Sequence, residues 1–592
     1  MKRWFKYIKP YWPYFLLGPL CMIVEVIGEV LMPKLLSIVI NGGEALVASQ
    51  SGGTPEVTPL SVGSSVGIMW LMILVAILMM LGGVGGAYFG AKASVNFATD
   101  LRSDIYSKVQ SYSFANIDKF SAGSIVTRVT NDVTQMQNFI NMLLRMALRS
   151  PGMMIGGLIM AIMLKPKLSV VFAVTIPLMI LTILALIFLS FSRFGRMQSK
   201  IDALNSNVRE NVTNVRVVKS FVREAEEIER FKKSNRDLKE AGMKAMKIII
   251  FMLPVMNIFM YATTIAVVWF GHGIVIDPEE GMLIGDLSAF ITYVTQILSS
   301  LMMITMLLMT SSRALASSKR ICELLDEKID LDDKNAAYPD KRIENGTIEF
   351  RSVSFRYFKN NNEKVIDNIN LTIPAASTVG IIGSTGCGKT TLVSMIPRLY
   401  DVDEGEVLVD GTNVKDYSLV NLRDGIGMVL QKNLLFSGSI SENLRWGDQN
   451  ATDEEIVEAA KYAAADKFVS SFNEGYETML DKGGANVSGG QKQRLCIARA
   501  MLKKPKILIL DDSTSAVDTA TERQIREALA SSLAQTTKII IAQRISSVKH
   551  ADMIIVMDDG VITGIGTHDE LLDTNPEYTE IYYSQMDKKE DQ

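Results

Sequence analysis

The chain has 592 residues, with 61 Lys and Arg against 64 Asp and Glu, for a net charge of -3. That balance leaves no overall basic footprint for nucleic acid, and a mean hydropathy of +0.20 argues against a wholly soluble protein. Four scattered cysteines and three histidines argue against a disulfide framework or a zinc site.

The N-terminal part, residues 1–325, carries the apolar runs. A bilayer core takes roughly 20 apolar residues per helix. Six stretches qualify, near 14–40, 66–91, 143–164, 168–191, 248–271 and 287–310. The first is not a cleavable leader, being too long, holding Glu25 and Glu29, and lacking a small-residue cleavage site. Glu25 and Glu29 stand four apart on one helix face, with Pro33 beyond them. Carboxylates in lipid are costly, so these two are candidates for substrate contact. The competing reading is an ion pair with Arg145 or Arg149 on the third span, or exposure to a wet cavity. In the sixth span, Met302, Met303, Met306 and Met309 either line an adaptable pocket or simply pack.

Basic residues set the expected orientation. Lys2, Arg3, Lys6 and Lys9 precede the first span, and 192–247 is rich in Arg and Lys. The 41–65 and 272–286 loops hold acidic residues and no Lys or Arg, and only the Lys165-Pro166-Lys167 turn breaks the pattern. Both termini and the C-terminal half are therefore expected in the cytoplasm of a multi-pass plasma (inner) membrane protein. The polar but periodic segments 92–142 and 192–247 read as helices continuing beyond the bilayer, turning near Ser121–Ser124 and Asn205–Asn207.

A linker over 326–345 leads to an α/β domain over 346–585, followed by a polar tail over 586–592. An apolar strand runs into Gly383-Ser384-Thr385-Gly386-Cys387-Gly388-Lys389-Thr390-Thr391, which matches GxxxxGK[ST] and opens a helix. Such a loop curls backbone N–H groups around phosphates. Lys389 is expected on the β/γ-phosphates of ATP and the Thr390 hydroxyl on Mg²⁺, with Cys387 a small filler. The strand Lys506–Leu510 ends in Asp511, the expected second Mg²⁺ partner.

Between these motifs, Val487-Ser488-Gly489-Gly490-Gln491 precedes a helical stretch. It resembles the LSGGQ signature of the ATP-binding-cassette proteins, with Val in place of Leu. The resemblance extends over nearly the whole chain, and the segments around Leu101–Asp104, Arg128–Asp132 and Glu210–Phe221 resemble the intracellular hairpins of the type IV exporters. It implies adenine stacking on Tyr357, sensing of Mg²⁺ and γ-phosphate by Gln431, and a D-loop at Ser515-Ala516-Val517-Asp518. It also implies that ATP on one cassette is closed by Ser488, Gly489, Gly490 and Gln491 of another. Six spans with one cassette then make half a transporter, and a second half-transporter subunit is required.

This sequence departs from the family where water is activated. Asp512 follows Asp511 where the family has Glu, and Gln543 stands where it has a switch histidine. Asp is one methylene shorter, setting its carboxylate about 1.5 Å back where positioning governs rate, and Gln cannot carry an imidazolium charge. Asp481-Lys482-Gly483-Gly484 also departs from the family's Gly-Glu-x-Gly. The expectation is a membrane all-α domain fused to a P-loop cassette. It would form one subunit of an ATP-driven exporter of hydrophobic or amphipathic small molecules, paired with a non-identical partner. Asp512 and Gln543 would mark a slow ATP site. A homodimeric lipid or peptide exporter and a cassette-gated channel or regulator remain alternatives.

Overall fold

The computed structural model describes residues 3–50, 61–276, 282–334, 336–357, 363–513 and 517–590. They divide into two compact units, one of residues 1–108 and 123–326, the other of 109–122 and 327–592.

Among the described residues of the first unit, six long helices are apolar enough to cross a membrane. They are α1 (Trp12–Gln50), α2 (Val62–Gln110), α4 (Ala122–Leu164), α5 (Pro166–Thr213), α7 (Glu224–Ile276) and α8 (Ile284–Asp326). The short α3 (Phe114–Lys119) and α6 (Val215–Ser220) lie at the chain reversals. At 1.5 Å per residue the 53 residues of α7 extend about 80 Å, well beyond a hydrocarbon core of roughly 30 Å. Helices α2, α4, α5 and α7 likewise run beyond their apolar stretches through 92–110, 122–142, 192–213 and 224–247, as the periodicity predicts.

Helix α8 supplies the centre of the membrane core, with Phe290, Tyr293, Val294 and Ile297 fully buried. The Tyr293 hydroxyl donates to the Val30 carbonyl at 2.9 Å, tying α8 to α1. Outward positions such as Met163 and Phe188 are 75% and 82% exposed, the pattern of helices whose solvent on that side is lipid. One π-helical turn, Arg128–Asp132, interrupts α4. There the buried Asp132 accepts from Ser317 Oγ and Arg320 Nε, both at 2.8 Å, and Arg128 donates to the Arg320 carbonyl at 2.8 Å. A buried carboxylate needs such partners.

Neither reversal is centred where composition suggests. The first spans 111–121, because Ser113 caps α3: its Oγ accepts from Asn116 N while Asn116 Oδ1 accepts from Ser113 N, each at 3.2 Å. Ala122 already begins the next helix. At the second, Asn207 stays helical because its Nδ2 is used across the hairpin on Ser234 Oγ, at 2.6 Å. The chain turns at Asn214 and at Val222, where φ is +53°.

The second unit is built on a six-stranded sheet. Its strands, in chain order, are β3 (Thr378–Gly383), β6 (Ile426–Val429), β9 (Ile507–Asp511), β10 (Thr537–Ile541), β11 (Met553–Asp558) and β12 (Val561–Gly566). The spatial order is β12-β11-β3-β10-β9-β6, parallel except for β12. Ile507 and Ile509 enter one apolar core, while Leu508 and Leu510 enter the other. Burial on both faces explains the unbroken apolar run of this strand. A four-stranded antiparallel sheet, β2-β1-β4-β5, consists of β1 (Ile348–Phe355), β2 (Ile366–Ile373), β4 (Glu404–Val409) and β5 (Thr412–Asn413), and β7 (Gly438–Ser439) pairs with β8 (Met479–Leu480). Gly383 and Asp511 both end parallel strands flanking β10, which brings them to one edge of the large sheet, where α/β folds place ligands.

Candidate functional site

The loop after β3 depends on glycine. Gly383, Gly386 and Gly388 have φ of +150°, +92° and +97°, and a Cβ at Gly383 would overlap the Met557 carbonyl oxygen. Around Gly386 the space is open to 4 Å. The following helix, α9 (Lys389–Ser394), starts within the loop. Lys389 Nζ donates to the carbonyls of Gly383 at 2.9 Å and Ser384 at 2.6 Å, and lies 3.5 Å from Cys387 Sγ. The ammonium is thus held over the loop mouth by the loop itself. Ser384 Oγ donates to Asp558 at 2.9 Å, and Cys387 is buried.

Thr390 Oγ1 donates to Asp511 Oδ2 at 2.9 Å. Burial pushes the Asp511 carboxyl above its ordinary pKa, opposed by the Thr390 bond. A hydroxyl and a carboxylate in contact, beside an open glycine cradle, form an all-oxygen donor set that suits a hard cation such as Mg²⁺. Thr390 and Asp511 are the residues that would hold it, and it would supply charge neutralisation to phosphates.

Asp512 lies next, in a left-handed conformation with φ of +46°. Gln543 Nε2 donates to Asp512 Oδ2 at 3.0 Å, and Gln493 Nε2 reaches the Asp512 carbonyl at 3.5 Å. Burial again raises the carboxyl pKa, with a Gln431 hydrogen bond the leading opposing influence. Gln543 therefore holds the Asp512 carboxylate directly, and Gln431 acts on the same group. Gln585 fixes this corner, donating to the Gln543 carbonyl at 2.9 Å and accepting from Ile545 N at 3.0 Å.

Tyr357 is 41% exposed. Its hydroxyl lies 2.9 Å from Thr391 Oγ1, and its ring meets Phe355 and Tyr400 edge-on, with centroids 5.0 and 5.2 Å away. Sequence reasoning missed Tyr400. Its hydroxyl donates to Asp118 Oδ2 at 2.8 Å and its ring packs on Phe114 at 6.2 Å, so α3 belongs to the cassette's own unit. Asn116 adds a bond to the Lys328 carbonyl at 2.9 Å. No local motif marks Tyr400.

Ser488 caps helix α10 (Gly489–Leu502), accepting from Gln491 N at 3.3 Å while Gln491 Oε1 accepts from Ser488 N at 2.8 Å. Gly489 and Gly490 form its first turn. Among the described residues, none of Ser488–Gln491 bonds to the phosphate loop. Ser515 and Ala516 lie outside the described residues.

In the first unit, Arg149 bridges Glu25 at 3.2 Å and Glu29 at 3.1 Å, the ion-pair arrangement, with Arg149 rather than Arg145 as partner. The three groups keep partial exposure, and a cleft of about 230 Å³ beside them is lined by Glu29, Arg149, Gln296 and Met303. Met302 packs on the core, Met306 is 60% exposed, and the Met309 side chain lies outside the described residues.

Residues 15–301 match the family model described as ABC transporter transmembrane region, and 366–515 match that described as ABC transporter. The chain is 36% identical over 589 residues to an uncharacterized ABC transporter ATP-binding protein, YfiB, of Bacillus subtilis, covering 100% of this chain and 99% of that one. It is 34% identical to the putative multidrug export ATP-binding/permease protein YgaD of the same organism, covering 98% of each. The fold matches a bacterial Atm1-family ABC exporter solved with ATP bound, at a TM-score of 0.74 and 24% identity, over 95% of this chain and 98% of that one.

Proposed function

The chain belongs to the ATP-binding-cassette transporters, and from that premise we propose that it is the slow-site subunit of a heterodimeric exporter. Members of this family sit in the bilayer as dimers and couple ATP hydrolysis in their cassettes to transport. In this reading the loop at 383–391, with Tyr357, Gln431 and Asp511, binds Mg-ATP on this chain, and the partner's signature closes it. Ser488, Gly489, Gly490 and Gln491 in turn close the partner's ATP, where the partner supplies Glu and His.

The observation that carries the reading is the Asp512–Gln543 contact of 3.0 Å. Its two residues are the departures from the family at the point where water is activated, and the carboxylate that would polarise water is short and already takes a hydrogen bond from Gln543. A short carboxylate with one oxygen already engaged is badly placed to orient a water. The signature helix keeps a complete cap. ATP held long at one site would keep the cassettes engaged while the other site turns over.

The cargo in this reading is a hydrophobic or amphipathic small molecule, supported by the long apolar helices and the name of the YgaD relative. Both termini and the cassette face the cytoplasm of a plasma-membrane protein, supported by the basic 192–247 segment. The test is ATPase and dye uptake in inverted vesicles, with this chain alone and with the second half-transporter. Feeble hydrolysis alone and ATP-driven dye accumulation with the partner are expected. Brisk, substrate-stimulated hydrolysis by the chain alone would overturn the heterodimer.

A further inference from the structure

The seam between α5 and α7 changes character along its length. Far from the apolar runs, complementary groups bridge it. Arg230 pairs with Glu210 at 3.1 Å and Asn211 with Glu227 at 3.1 Å. Asn207 bonds Ser234 at 2.6 Å, and Lys200 pairs with Asp237 at 2.7 Å. One to two turns further along, the complementarity stops. Arg193 and Arg196 on α5 and Lys244 and Lys247 on α7 line one cleft of about 710 Å³, continuous with Lys200 and Asp237. The spacing 193, 196, 200 and the spacing 237, 244, 247 each keep to one helix face.

The cleft holds five cations against two carboxylates, Asp237 and Glu240. Asp237 is already paired with Lys200. Among the described residues, Arg193, Arg196, Lys244 and Lys247 have no carboxylate within ion-pair distance. Like charges gathered on one seam repel, so their arrangement calls for an anion between them.

Position along the helices selects the anion. Arg193 follows the apolar run that ends at Leu189, and Lys247 directly precedes the run that begins at Ile248. The cations thus stand where hydrocarbon gives way to headgroups. Next along the two helices, Phe188, Ile250 and Phe251 are 82%, 62% and 62% exposed, an apolar surface on which acyl chains can lie. We propose that this cleft binds the phosphate-bearing headgroup of an anionic phospholipid, in the leaflet at the Arg193 end of the span.

The experiment uses the purified full-length transporter in nanodiscs of phosphatidylcholine and phosphatidylglycerol in equal parts, with retained lipids counted by native mass spectrometry. Phosphatidylglycerol is expected to be enriched over phosphatidylcholine. Arg193→Gln with Lys247→Gln should cut that enrichment by about fivefold per cation removed. Lys247→Arg should preserve it, and so should Lys233→Gln with Lys239→Gln, which remove equal charge elsewhere on α7. Should the double variant fail to assemble, Lys244→Gln alone carries the same expectation of about fivefold. Equal enrichment in cleft and control variants would overturn the site. Displacement of phosphatidylglycerol by millimolar inorganic phosphate would overturn the lipid assignment in favour of a soluble anion. Lipid retention is read without transport, so its failure is separable from failure of the export reading.

Discussion

Gln543 Nε2 donates to Asp512 Oδ2 at 3.0 Å, so the two side chains that depart from the family where water is activated hold one another. Glutamine has two N–H donors to share, and one is already spent on the carboxylate before a γ-phosphate is counted. The pair behaves as a unit, and its variants should be read as a cycle.

If this chain carries the slow site, Asp512→Asn should leave turnover of the assembled transporter within roughly twofold of the parent, because a poorly placed carboxylate has little transition-state contribution to lose. Asp512→Glu combined with Gln543→His should raise hydrolysis at this site more than the product of the single changes. Steady-state ATPase with each partner site inactivated in turn checks both. A collapse of activity in Asp512→Asn would show that this carboxylate is the working base.

Lys389→Ala should weaken ATP binding on this chain by about 1.5–3 kcal/mol, the loss of a charge-assisted contact. Equilibrium binding of labelled ATP to the full chain reads it. The lysine's present partners are backbone carbonyls of its own loop, so the substitution leaves no buried charge unpaired. Unchanged affinity would remove the loop from the nucleotide site.

Gly490→Trp should lower turnover of the assembled transporter by about a hundredfold or more, because a bulky side chain in the first turn of α10 displaces the approaching phosphate by ångströms. Nucleotide binding to this chain's own loop should be unaffected. A variant that hydrolyses normally would separate the signature from catalysis.

Glu25→Gln with Glu29→Gln should lower thermal stability by about 1–3 kcal/mol, by stranding a partly buried guanidinium. Adding Arg149→Gln should recover part of the loss, which a thermal-shift assay detects. A cargo role predicts in addition a selective loss of cationic over anionic dye transport. If dye selectivity is unchanged while stability follows the cycle, the three residues are a structural ion pair alone.

The parts readable in the sequence are those encoded by neighbours along the chain. The phosphate loop needs glycines at fixed offsets, the strand ending in Asp511 is apolar on both faces, and six apolar runs long enough for a bilayer stand out by composition alone. Choices among distant partners were not readable. Arg145 and Arg149 are equivalent by spacing, and only the packing of α4 against α1 selects Arg149. The turn positions were obscured because Asn207 has a cross-hairpin partner in Ser234, while Ser113 and Asn116 cap each other. Tyr400 carries no local mark, since its significance comes from Asp118, 282 residues earlier.

That last contact bears on how the protein can be cut. Phe114 and Asp118 are threaded into the nucleotide-binding unit from the middle of the membrane half, so no single scissile point separates the two without loss. A recombinant fragment beginning at the linker would strip Asp118 from the Tyr400 hydroxyl and expose the Phe355–Tyr357–Tyr400 aromatic cluster to water. The altered platform is the one on which adenine is expected to stack. Nucleotide affinities measured on such a fragment would describe a different binding surface, and supplying residues 109–122 as a peptide should shift them toward the intact value.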